Sequence, residues 1–213
     1  MHALVVDDDD FTRVLLVRTL HGLGVESVDD ARSAADGMAS AAKRKPDLAI
    51  LDLDLGPGPT GIDLGYGLRK ANPTVAVIIL SSYADPRLLG ANRDLPDGGL
   101  YLSKREVGDV DVLARAIAEV THAPHGRRAV APSAMVGGRR LSDNQVEIMR
   151  LVAEGFSNAE IGRRRHLTDA AVEKAIARLI KQLELQPGRN DNPRVLVTQA
   201  YFALIGSTQV RRD

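Results

Sequence analysis

Five polar residues stand where short apolar runs end, and together they could handle a phosphoryl group. Asp7 and Asp8 follow Ala3-Leu4-Val5-Val6, and Asp52 closes Leu48-Ala49-Ile50-Leu51. Ser81 closes the run from Val75 to Leu80, and Lys104 comes just after Leu100-Tyr101-Leu102. A carboxylate can act as a nucleophile and accept a phosphoryl group as an acyl phosphate. The incoming group is anionic, so a carboxylate that attacks it needs cations nearby. Mg²⁺ suits such a place, because it is hard, takes oxygen ligands and keeps several waters. An ammonium neutralises a further oxygen, and a hydroxyl hydrogen-bonds another.

The elements needed to position these groups are legible around them. Strands are expected at 3–6, 25–28, 48–51, 75–80 and 99–102, and helices at about 10–21, 31–44, 61–71, 86–93 and 109–120. Strands alternating with helices of this length imply right-handed crossovers and a parallel sheet covered on both faces. The polar residues then lie at the carboxyl ends of strands, the edge where open α/β sheets build their sites. The helix at 86–93 is the weakest, since Gly90 lies inside it and Pro96, Gly98 and Gly99 follow. Gly56-Pro57-Gly58-Pro59-Thr60-Gly61 must be a loop.

Charge divides the chain. Formal net charge is zero over the 213 residues, yet residues 1–120 carry 19 Asp+Glu and 13 Lys+Arg, while 121–213 carry 9 and 15. An acidic half joined to a basic half points to a nucleic-acid partner for the second. There is no cysteine, so disulfides, thiolate metal sites and cysteine nucleophiles are excluded. The chain opens with no basic stretch of a signal peptide, and its longest apolar run falls far short of the roughly 20 residues of a membrane span. A cytoplasmic location without membrane attachment is the expectation.

The first 120 or so residues resemble the response-regulator receiver domain. The resemblance implies a flavodoxin-like, doubly wound, five-stranded parallel sheet. It makes Asp52 the phosphoacceptor, within Asp47-Leu48-Ala49-Ile50-Leu51-Asp52-Leu53. Asp8 becomes a direct Mg²⁺ ligand, Asp7 a ligand mainly through water, and Asp54 a ligand through its backbone carbonyl. Ser81 and Lys104 become the hydroxyl and lysine of the switch, and Tyr101 its aromatic rotamer residue, turning inward on phosphorylation. Three features depart from the usual pattern. The loop before Gly61 is about one residue longer, Asp9 and Asp10 extend the acidic run, and Arg105 follows the lysine. Asp9 and Asp10 suit the start of a helix, where negative charge favours the macrodipole.

After a linker rich in small residues, helical signals return. Ser142 with Gln145 and Ser157 with Glu160 have capping-box spacing, and Gly155 stops the helix between them. Thr168 suits a third N-cap, and Asn192-Pro193 starts a last helix near 193–205. Residues 141–185 resemble the helix-turn-helix of the NarL/FixJ (LuxR-type) family, above all in Glu154-Gly155-Phe156-Ser157-Asn158-Ala159-Glu160-Ile161. In the third helix Val172, Ile176, Leu179 and Leu183 form an apolar stripe, and Lys174, Arg178 and Lys181 lie on another face. The resemblance makes that face the reader of the major groove. Ala170, Glu173, Lys174 and Ala177 would meet base edges, and Arg178, Lys181, Arg163, Arg164 and Arg165 phosphates. Glu173-Lys174 stands where the family has lysine and another residue, which bears on operator choice.

The resulting organisation is a receiver over 1–122, a linker over 123–139, a small all-α DNA-binding domain over 140–206 and a tail over 207–213. The implied function is a transcription regulator of a two-component system rather than an enzyme. Its partners would be a sensor histidine kinase, double-stranded DNA and, when active, a second copy of the chain. One alternative is the same DNA output gated by a protein or ligand instead of phosphate. A receiver-type protein that sequesters a partner is another, and it would bind no DNA. An aspartate-nucleophile phosphatase of the haloacid-dehalogenase type would also use Asp52 and Asp54, but its acidic pair should follow the lysine, and no Asp-Asp pair follows Lys104.

Overall fold

The computed structural model describes residues 1–83, 85–89, 94–122, 135–136, 139–188 and 191–205. By its internal contacts the chain forms two compact units. One comprises Met1–Ser81 and Arg93–Ala131, the other Ser82–Asn92 and Pro132–Asp213.

The first unit is a five-stranded parallel sheet. Its strands are β1 (His2–Val6), β2 (Ser27–Ala31), β3 (Leu48–Asp52), β4 (Ala76–Ser81) and β5 (Leu100–Ser103), in the order β2-β1-β3-β4-β5. The helices between and after them are α1 (Asp10–Gly22), α2 (Ala34–Lys43), α3 (Gly61–Ala71) and α4 (Val110–His122). Strands buried on both faces read as unbroken apolar runs, and β1, β3 and β4 are buried along their whole length. Ala3, Val5, Leu48, Ile50, Ile78 and Leu80 pack with Leu16 and Leu20 of α1 and Leu113 and Ile117 of α4. The order places β1 beside β3, with Val6 opposite Leu51. Chain connections leave these two strands in opposite directions, which opens a crevice at their carboxyl ends.

Two elements differ from the sequence reading. The second strand runs over 27–31, not 25–28. Gly24, at φ +83°, ends α1 with Gly24 N–H bonded to His21 O and Val25 N–H to Leu20 O, so Val25 belongs to the helix terminus. Asp29 and Asp30 are tolerated in β2 because it is the sheet's edge. In place of a helix over 86–93 there is a 3₁₀ turn at Pro86–Leu89, and residues 90–93 lie outside the described residues. The Asp85 carboxylate takes the Arg87 backbone N–H at 2.9 Å and its guanidinium at 2.6 Å, local bonds that compete with a helical ladder.

The loop after β3 is held close to Asp52. Thr60 and Asp63 form a full capping box at the start of α3. Gly61 donates its N–H to Leu53 O at 3.0 Å, and a Cβ on Gly61 would stand 2.0 Å from the Asp52 carbonyl oxygen. Only glycine permits that approach.

The second unit is helical: α5 (Asp143–Ala153), α6 (Asn158–Arg165), α7 (Asp169–Gln182) and α8 (Pro193–Leu204). A two-stranded antiparallel ladder, β6 (Met135–Val136) and β7 (Arg139–Arg140), lies where the sequence suggests only linker. Ser142–Gln145 forms the expected capping box, Thr168 and Asn192 cap α7 and α8, and Gly155 takes φ +86° after α5. Val146, Met149, Ile161, Val172, Ile176, Leu179, Leu183 and Val197 form the core, joined by Leu88 of the 82–92 segment. The Tyr201 hydroxyl donates to Leu88 O at 3.0 Å.

Alanine at position 61 should force the start of α3 away from Asp52 and destabilise the first unit by about 1–3 kcal/mol, the usual cost of overpacking. Urea denaturation followed by circular dichroism measures this. A midpoint equal to that of the unaltered chain would show that the loop can yield.

Candidate functional site

The carboxyl ends of β1, β3 and β5 bring Asp7, Asp8, Asp52 and Lys104 together. Lys104 Nζ lies 2.8 Å from Asp7 Oδ2 and 2.9 Å from Asp52 Oδ2. Asp7, Asp8 and Asp52 each offer an oxygen within 4.8 Å of the others. Backbone bonds fix the strand ends: Asp7 N–H to Ala31 O, Leu53 N–H to Leu80 O at 2.8 Å, and Lys104 N–H to Ser81 O at 2.8 Å. Asp7 Oδ1 also accepts from Asp9 N–H at 3.0 Å. Asp9 is the N-cap of α1 and Asp10 its first residue, as their charges suggest.

Burial makes these carboxylates costly to ionise. Asp52 is 5 % exposed and Asp7 fully buried, while Asp8 faces solvent. Desolvation pushes Asp52 up to about 7 against the pull of Lys104, with the Asp7 charge adding to the rise. Asp7 is raised as well, again mainly by burial. Burial works to lower the Lys104 ammonium, but pairing with Asp7 and Asp52 outweighs it and the net shift is upward. Asp7 Oδ2 is buried and accepts no well-directed hydrogen bond among the described residues, although Lys104 is near. An oxygen in that condition, beside two further carboxylates and no nitrogen or sulfur donor, fits a hard divalent cation such as Mg²⁺.

The remaining expected residues are placed as follows. Ser81 is fully buried at the end of β4, with Asp52 opposite Leu80 in the register. Tyr101 is 7 % exposed, so its ring already lies largely inside. Asp54 follows β3, and its N–H approaches Asp52 Oδ1 at 3.4 Å.

Arg13 escaped the sequence reading. It is 5 % exposed and donates from Nη1 to Asp7 O at 2.9 Å, from Nε to Asp30 Oδ2 at 2.7 Å, and from Nη2 to Asp10 Oδ1. The signal was available, because Arg13, Leu16 and Leu20 share one helical face, and a cation on a core stripe needs buried partners.

In the helical unit, Ala170, Glu173, Lys174, Ala177, Arg178 and Lys181 are all exposed on α7, opposite the buried stripe of Val172, Ile176 and Leu179. Gly162 of α6 lets the chain approach closely, since a Cβ there would lie 2.6 Å from Leu167 O. His166 ends α6 in the left-handed conformation. The second capping box is only half made. Ser157 accepts from Glu160 N–H, but the Glu160 carboxylate turns outward to Arg163 and Arg164, each at 2.7 Å, which holds it down at about 2. Arg164 also stacks 3.9 Å above the Phe156 ring, and Arg165 donates to Asn144 Oδ1. Competition from two guanidinium groups explains why the box does not close.

Comparison with known proteins agrees with this geometry. Residues 3–104 match the response regulator receiver domain family. The chain is 25% identical over 195 residues to the response regulator protein VraR of Staphylococcus epidermidis, covering 86% of this chain and 90% of that one. VraR of Staphylococcus aureus gives the same identity and coverage. Among solved structures, RcsB of Salmonella enterica serovar Typhimurium, bound to promoter rprA with a phosphomimetic, aligns over 95% of this chain and 98% of its own. Its TM-score is 0.52 at 20% identity. An RcsB–DNA complex aligns over 98% and 99%, with TM-score 0.56 and 20% identity. Residues 3–104 thus form a response regulator receiver domain, and the helical unit of α5–α8 follows it. Among the described residues no helix is long and apolar enough to cross a membrane.

A folded-state value of about 7 for Asp52 lies above the ordinary carboxyl value near ~4. The stability linked to this proton is therefore present below about pH 4 and lost as pH rises through about 7. In chelator-treated protein the denaturation midpoint should fall from pH 5 to pH 8 relative to Asp52→Asn, which cannot ionise. Parallel curves for the two proteins would contradict the shift.

Proposed function

We propose that this chain is a transcription regulator of a two-component system, phosphorylated on Asp52 by a sensor histidine kinase and acting in the cytoplasm as a dimer on double-stranded DNA. The observation that carries the proposal is Lys104 bridging Asp7 and Asp52 at the β1/β3 crevice with Asp8 alongside. The receiver is taken as 1–122, the linker as 123–139, the DNA-binding domain as 140–206 and the tail as 207–213.

In this reading an Asp52 side-chain oxygen attacks the phosphoryl group carried on the kinase's histidine, and the acyl phosphate forms as the P–N bond breaks and the imidazole leaves. Asp8, Asp52 and the Asp54 carbonyl, with Asp7 mainly through water, would hold Mg²⁺, which would supply charge to offset that of the phosphoryl oxygens. Lys104 gives up one carboxylate contact to pair with a phosphoryl oxygen. The Ser81 hydroxyl donates to another, and Tyr101 packs behind it. Residue 81 ends a stretch of the first unit and residue 82 opens a stretch of the second, so the backbone is continuous between the units at Ser81. The exposed face of α7 enters the major groove. Ala170, Glu173, Lys174 and Ala177 meet bases, while Arg178, Lys181, Arg163, Arg164 and Arg165 meet phosphates. VraR is a response regulator protein, which favours the receiver's part in this reading, and the RcsB complexes contain DNA, which favours the output.

Incubation with Mg²⁺ and acetyl phosphate should add one phosphoryl group to the intact mass, and Asp52→Ala should abolish the addition. An equal response in the variant would reject Asp52 as the acceptor.

The two α7 lysines should fail in different ways. Lys174→Ala removes a base contact, so it should weaken the preferred site by roughly 1–3 kcal/mol and narrow its advantage over random DNA. Lys181→Ala removes a phosphate contact, so it should weaken both DNAs about equally and lower the salt slope by about one. Binding to both DNAs across a salt series makes the comparison. Unchanged affinities in both variants would mean that α7 does not enter the groove.

A further inference from the structure

We propose that Arg13 is a positioning residue that tunes the affinity of the acidic site for its divalent cation by fixing the peptide group between Asp7 and Asp8. The inference rests on the reading above, that Asp7, Asp8 and Asp52 take Mg²⁺.

The contacts of Arg13 define the role. Its guanidinium is nearly out of solvent and spans three segments of the first unit. Nη1 donates to the Asp7 carbonyl at 2.9 Å, Nε to the Asp30 carboxylate at the end of β2 at 2.7 Å, and Nη2 to Asp10 in the first turn of α1. Asp10 is itself paired with Arg32 at 3.3 Å. The planar fork is thus anchored by two carboxylates, and its third contact reaches a backbone oxygen of the metal loop. A guanidinium holds several acceptors in fixed directions, which a lysine ammonium on a flexible stem does not.

The anchored oxygen belongs to the peptide that joins Asp7 to Asp8. The orientation of that peptide sets where the Asp8 side chain leaves the backbone. Asp8 is exposed, and no hydrogen bond or ion pair from another described residue restrains its carboxylate. Its aim toward the cation therefore depends on the backbone, and Arg13 holds the backbone. Partners that orient metal ligands typically contribute 10–100-fold to metal affinity.

The sign of the effect separates this role from a purely electrostatic one. Arg13 is a cation near an anionic cation site. If it acted only through its charge, removing it would relieve repulsion and tighten Mg²⁺ binding. If it acts by positioning Asp8, removing it weakens Mg²⁺ binding despite the lost positive charge. The two accounts predict opposite directions for one measurement.

The experiment is calorimetric titration of the full chain with Mg²⁺, without phosphodonor, for the unaltered protein, Arg13→Gln, Arg13→Lys and Asp30→Asn. Thermal midpoints of the metal-free proteins are measured alongside. Arg13→Gln should weaken Mg²⁺ binding by about 10–100-fold. Arg13→Lys should weaken it too, because the charge remains but the three-way anchor is lost. Asp30→Asn should fall between them and the unaltered chain, and adding it to Arg13→Gln should have no further effect. If Arg13→Gln does not fold, Arg13→Lys and Asp30→Asn carry the test. Unchanged or tighter Mg²⁺ binding in the folded variants overturns the inference, and a lowered midpoint with unchanged affinity identifies a merely structural arginine. If the unaltered chain binds no Mg²⁺, the metal reading falls and this inference with it. Binding by the unaltered chain that Arg13→Gln leaves intact removes the inference alone.

Discussion

Like charges crowd one edge of this sheet, and the ammonium of Lys104 is what permits it. Asp7 and Asp52 are buried beside each other with Asp8 adjacent. Burial disfavours the ionised form of both buried carboxylates and shifts both upward, with the Asp7 charge adding to the rise at Asp52. Much of the surrounding structure serves this arrangement. The β1/β3 adjacency brings the acids together, and Lys104 N–H on Ser81 O locks the end of β5 to β4. Gly61 lets α3 begin against the Asp52 backbone. The site stores a demand for positive charge. In the proposed reading a divalent cation and a phosphoryl group would answer it jointly, since one would supply charge and the other would give Lys104 a new partner.

The helical unit solves a different problem, which is to expose a basic face without losing its core. In α7 the apolar stripe and the polar face are separated by the helical period, so one element both packs and presents. α6 shows the limit of a local charge count. Arg163 and Arg164 are exposed but already bound to Glu160. For the proposed phosphate contacts, each would have to release that carboxylate or share it.

How far the sequence was legible follows from the range of the forces involved. Elements set by local chemistry were readable: the apolar strands, the α3 span at 61–71, the Ser142–Gln145 box and the Gly155 stop all rest on contacts within a few residues. The acidic site was readable because its residues are tied to strand ends, and parallel sheets collect strand ends on one edge. The misses came from competition or from long range. Val25 looked like strand because the helix terminator that claims it depends on a glycine conformation. Over 86–89, the described part of the expected 86–93 helix, a 3₁₀ turn and a local Asp85–Arg87 arrangement stand instead. Glu160 was drawn from its capping role by arginines further along its own helix. Arg13 was invisible as a site residue because its partners Asp7 and Asp30 come from two different strands. Leu88 entering the core of the helical unit had no sequence signal at all.

The proposed function requires that the chemistry at Asp52 control the α7 surface. The most direct measurement is the affinity for a selected DNA site, by gel shift, of the unaltered chain and of Asp52→Ala, each with and without beryllium fluoride and Mg²⁺. The account requires that the additive tighten binding by the unaltered chain and leave Asp52→Ala unmoved. Equal DNA affinity of the unaltered chain in both conditions, or an equal response in Asp52→Ala, would contradict it.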